Sequence, residues 1–84
     1  MAINKKAAEL LGWYGVLAIV LAYALVSFEL ISASGWVYQI LNLSGALGLI
    51  VISVIKKAHQ PAVLNVFWSL IALVALVIIA AKRF

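Results

Sequence analysis

AHQPAVLNVFWSLIALVALVIIAA, residues 58–81, runs 24 residues without a lysine, arginine, aspartate or glutamate. A helix rises 1.5 Å per residue and crosses the hydrocarbon core of a bilayer in about 20 residues. The stretch is long enough for one crossing. Working outward, the eight charged residues are Lys5, Lys6, Glu9, Glu29, Lys56, Lys57, Lys82 and Arg83, and the gaps between them leave two more uncharged runs, residues 10–28 and 30–55. These span 19 and 26 residues. The sequence therefore predicts three membrane helices, at about 10–31, 36–55 and 61–81, forming a single all-α membrane domain over residues 1–84. Strands are excluded, because a membrane β-barrel needs many segments of alternating polarity and these runs are apolar throughout.

Composition agrees with that placement. Of 84 residues, 69% are hydrophobic and 10% charged, with a mean hydropathy of +1.30, where soluble domains have roughly half apolar and a quarter charged residues. So short a soluble domain has too little interior to hide this much apolar surface. A free-standing soluble enzyme is ruled out, and without cysteine there is no disulfide framework or thiolate nucleophile. Lys5 and Lys6 ahead of an apolar run suggest a signal peptide, but the run exceeds the roughly 7–15 residues of such segments. It is read as an uncleaved first span.

The breaks between spans have their own chemistry. Ser32-Ala33-Ser34-Gly35 is a small-residue turn that offers Ser34 as a cap for the second helix. Pro61 suits the first position of the third, where its missing N–H has no partner to lose. Short turns make neighbouring helices antiparallel.

With three spans, Lys5, Lys6, Lys56 and Lys57 share one side of the membrane and Lys82 and Arg83 the other. Cytoplasmic segments carry the basic excess, which predicts a cytoplasmic N-terminus and a periplasmic C-terminus. Trp13 and Tyr14 at one boundary, and Trp36 and Tyr38 at the other, read as interfacial anchors. The net charge of +4 is split among three membrane-flanking sites and makes no stripe for nucleic acid, whereas anionic lipid accounts for it.

Polar and small residues inside the spans indicate which faces look inward. Gly15 on the first helix and Ser44, Gly45 and Gly48 on the second are read as packing positions. Asn65, Asn42, Tyr23 and Ser69 are the candidates for a polar pocket near mid-membrane, suited to a small uncharged solute. Glu29, at a span edge, is expected to find a partner in Lys82 or Arg83. His59 stands alone, so no metal site is expected, no cofactor is implied, and the absence of a nucleophile elbow argues against an enzyme.

The runs Gly12-Trp13-Tyr14-Gly15, Ala22-Tyr23, Tyr38-Gln39-Ile40-Leu41-Asn42-Leu43-Ser44-Gly45-Ala46-Leu47-Gly48 and Gln60-Pro61-Ala62-Val63-Leu64-Asn65 resemble the CBU-type family of small bacterial membrane proteins. The likeness covers almost the whole chain and implies a bacterial inner-membrane setting, with no established activity attached. A looser resemblance is to the SemiSWEET half-transporters of the PQ-loop group, through the chain length, Gly12, the glycine-rich second helix, and Pro61 followed by Asn65. It implies a dimer around a solute path, with Asn65 the one residue inheriting a pocket role. The chain departs from that group in lacking its Pro-Gln hinge, since Pro61 is the only proline, and its second-helix pocket tryptophan.

Three helices are too few to enclose a polar path, so the sequence reading is a homodimer of three-helix protomers. It is read as transporter-like, passing a small uncharged polar molecule. The alternative is a structural or regulatory protein that docks other membrane proteins through small-residue faces and carries nothing.

Overall fold

The computed structural model describes residues 4–83. It consists of three helices, α1 (Lys5–Ser27), α2 (Trp36–Ile55) and α3 (His59–Arg83), each long and apolar enough to cross a membrane. The longest dimension is 38 Å, against a hydrocarbon core of about 30 Å.

Helix ends depart from the charge-free runs, for local reasons. α1 begins at Lys5 because Asn4 caps it, its side chain accepting from the Ala7 amide at 2.7 Å. It stops at Ser27, short of Ile31, because the chain reverses through Glu29 at φ 61°. The Leu30 amide then reaches back to the Leu25 carbonyl at 2.8 Å and the Glu29 amide to Val26 at 3.0 Å. This is the Schellman closure usually built on glycine. α2 ends the same way, with Lys57 at φ 58° and the Ala58 amide on the Ser53 carbonyl at 2.8 Å. α3 starts at His59, two residues before Pro61. Proline costs no bond there, because the first four amides of any helix lack an intrahelical acceptor.

Ser34 does not cap α2. Gly35 occupies the cap position and no side chain bonds the first amides, while the Ser34 hydroxyl is 2.8 Å from that of Ser32. The turn is tied instead by Gln39, whose side-chain amide donates to the Ala33 carbonyl at 3.1 Å.

α2 is the middle element. It packs against α1 and against α3, whereas no Cα of α1 comes within 8 Å of one in α3. The buried apolar residues are Ala8, Ala18, Ala22, Ala46 and Ala72, with Ile52 the one large side chain among them. Large aliphatic and aromatic side chains point outward, as Leu17, Phe67 and Ile71 do. Such an arrangement suits a solvent of lipid tails, in which helices associate by close packing of small residues rather than by hiding oil from water.

Candidate functional site

α1 meets α2 along a seam without a large side chain at its centre. The α1 stripe is Ala8, Gly12, Gly15, Ala18 and Ala22, all buried, recurring every three or four residues. Opposite lie Gly45, Gly48 and Ile52. A Cβ added to Gly15 would strike the Gly45 carbonyl oxygen, and one on Gly48 the Leu11 carbonyl oxygen. Here backbone touches backbone. Residue numbers rise along α1 as they fall along α2, from Gly12 against Ile52 to Ile19 against Gly45, so the pair is antiparallel. Tyr14, read as an interfacial anchor, sends its hydroxyl across this seam to Ser44 at 2.6 Å. Trp36 opens α2 and stays exposed at the helix end. Where the charged end of the seam begins, Lys56 Nζ pairs with Glu9 Oε1 at 2.7 Å.

The α2–α3 seam is more polar. Asn65, Ser69 and Ala72 are the buried residues of α3, and Asn42, Ala46 and Ser53 are buried on α2. Their hydrogen bonds stay within each helix. Asn42 Nδ2 donates to the Tyr38 carbonyl at 3.0 Å, Asn65 Nδ2 to Pro61 at 2.8 Å, and Ser69 Oγ to Asn65 at 2.8 Å. Each donor returns to the carbonyl one turn back, which satisfies it in hydrocarbon without a partner helix.

At 3.6 residues per turn, the α1-facing and α3-facing stripes of α2 lie roughly 100° apart around its axis. α1 and α3 therefore sit on adjacent sides of α2, leaving a lengthwise notch between them. The half nearer the 28–35 connection is an open cleft of about 310 Å³ lined by Ile19, Val20, Tyr23, Tyr38, Asn42 and Trp68. Toward the other end, Glu9, Gly12, Trp13, Val16, Leu49, Ile52 and Lys56 line a second cleft, of about 170 Å³, on the same sides of α1 and α2. Tyr23 is 71% exposed and Trp13 64% exposed, whereas Asn42, on the floor, is 3% exposed.

The four pocket candidates do not converge. Tyr23 and Asn42 share the first of these clefts. Ser69 opens instead on a separate groove, with Leu43, Leu47, Ile50, Val66, Leu70 and Leu73. Asn65 is buried in the seam against its own backbone. Glu29 forms no ion pair with Lys82 or Arg83. The only ion pair among the described residues is Glu9–Lys56, and Glu29 serves as the left-handed residue closing α1. Sequence reasoning missed Trp68 and Val20 as notch walls. The available signal was that Trp68 sits one position before Ser69, on the adjoining side of α3.

A family model matches residues 8–83. The chain belongs to that family. The match supports the likeness to the CBU-type proteins and takes in α2, α3 and all but the first three residues of α1. No curated protein and no solved structure matches the chain, so the comparisons lend the half-transporter likeness no support.

Proposed function

We propose that this protein is a bilayer-embedded assembly module that takes one further membrane helix into the notch between α1 and α3, catalyses no reaction and carries no solute. One observation carries this reading: α1 and α3 both pack on α2, on stripes roughly 100° apart around its axis, and no Cα of one comes within 8 Å of a Cα of the other. That is three corners of a four-helix bundle. A helix in the fourth corner meets Trp13, Val20, Tyr23 and Trp68, large side chains that the protomer leaves uncovered. In the simplest assembly the helix comes from a second copy, giving a twofold dimer in which each protomer fills the other's notch. The setting is the bacterial inner membrane with the N-terminus cytoplasmic, from four basic residues on that side against two on the other. The docking surface is the aromatic notch. The glycine faces are already spent on the α1–α2 seam.

Passage of a small uncharged polar solute is the second reading, favoured by Tyr23 and Asn42 lining one cleft. Asn65 and Ser69 would take no part in it. Proteoliposomes separate the two. The assembly reading expects no uptake of sugars, amino acids or vitamins above empty vesicles, and a dimer in mild detergent. A solute that crosses with wild type and not with Asn42→Leu overturns it.

A further inference from the structure

α3 is five residues longer than α2. Its last turn and a half passes beyond Trp36 and faces the connection of residues 28–35. Ala75, Ile78, Ile79 and Lys82 recur at i, i+3, i+4 and i+7, so they share one face of α3. Together with Arg83, Ser34 and Gln39 they line an open cleft of about 380 Å³. Its floor is hydrocarbon and its rim carries two cations and two neutral polar side chains. The rim is held in place by Gln39 on the Ala33 carbonyl and by the Ser32–Ser34 contact. Glu29 is the acid in the facing connection, and it forms no ion pair with either cation; among the described residues the one ion pair, Glu9–Lys56, lies at the opposite end of the bundle.

Charge and depth together select the ligand. A guanidinium and an ammonium lining one cleft suit a phosphate, which Arg binds through paired N–H groups. A free phosphate would leave Ile78 and Ile79 uncovered, whereas a phosphate tethered to an acyl chain meets both parts of the cleft. Two cations at the end of an apolar helix also lie at headgroup level. We propose that this cleft binds one anionic phospholipid per protomer. Its phosphate sits between Lys82 and Arg83, its ester region faces Ser34 and Gln39, and one acyl chain runs along Ile78 and Ile79.

The test uses the full chain in mild detergent, with native mass spectrometry reading retained lipid. Phosphatidylglycerol is expected to stay bound, one per protomer, and phosphatidylcholine to be lost. Lys82→Gln with Arg83→Gln should weaken phosphatidylglycerol binding about 30-fold. Lys5→Gln with Lys6→Gln, an equal charge loss at the other end, should leave it unchanged. The swap Lys82→Arg with Arg83→Lys keeps the charge and should bind as wild type. Ile79→Asn keeps both cations and should weaken binding several-fold. Equal retention of the two lipids overturns the proposal, as does equal loss in the two glutamine pairs or loss in the charge-conserving swap. Unchanged binding in Ile79→Asn overturns the acyl-chain contact. Inorganic phosphate alone should not raise the unfolding temperature, and protection matching that of the lipid would assign the cleft to a soluble phosphate instead.

Discussion

Where α1 meets α2, glycine lets backbone approach backbone, and the nearest atoms to Gly15 and Gly48 are carbonyl oxygens of the opposite helix. Where α2 meets α3, the third helix contributes no glycine, and Asn65, Ser69 and Ala72 fill the seam. The first contact has almost no room to adjust, because main-chain atoms cannot rotate out of the way. The second is made of side chains with internally satisfied donors and has room to yield. α1–α2 is therefore the rigid half of the molecule and α3 the half whose position is more easily altered.

The largest test of this contrast is Gly48→Ile. A bulky residue there meets the Leu11 carbonyl, and overpacking of this kind costs about 3 kcal/mol. Detergent titration followed by helicity should show early loss of structure, and a wild-type midpoint would mean the glycines are not in contact. Gly12→Ala should do less, since its Cβ meets only the Ile52 side chain, at 2.8 Å, which can turn aside.

On the softer seam, Asn65→Leu is expected to cost about 1 kcal/mol, because it removes an amide bonded to its own helix and breaks nothing between helices. A loss as large as that of Gly48→Ile, measured in the same titration, would show that Asn65 bridges two helices after all. The helix ends provide a test of opposite sign. Glu29→Gly removes a side chain from a left-handed residue, a conformation costing roughly 1–2 kcal/mol for a non-glycine. It should raise the midpoint slightly, and a fall would contradict its closing role. Least of all, Glu9→Gln should cost under about 1 kcal/mol, with an effect that fades in high salt. Its pair with Lys56 is well exposed, at 41% for Glu9 and 55% for Lys56.

The three helices were legible because the absence of charge marks the hydrocarbon. It does not mark where helices end. Lys5, Lys6 and Glu9 are good helix formers outside the hydrophobic run, so α1 starts five residues earlier than that run suggests. Its end depends on Glu29 adopting a conformation that only glycine or asparagine would have announced. Gly15, Gly45 and Gly48 were readable as packing residues because small side chains at helical spacing have one common use in lipid.

The pocket was not legible for a different reason. Asn65 looks like a lining group because an amide in hydrocarbon needs a partner, yet the carbonyl four residues back supplies one, and sequence spacing cannot distinguish that bond from one across a seam. The notch depends on the angle between two stripes of α2. Each stripe is readable alone, but the angle acquires meaning only once it is known which helix sits on which.

Cysteine cross-linking in native membranes tests the vacant corner most directly. With Val20→Cys or Trp68→Cys, a second copy in the notch predicts covalent dimers on mild oxidation, while Leu73→Cys, on the other side of α3, stays monomeric. Dimers formed through Leu73→Cys, and none through the two notch positions, would contradict the account.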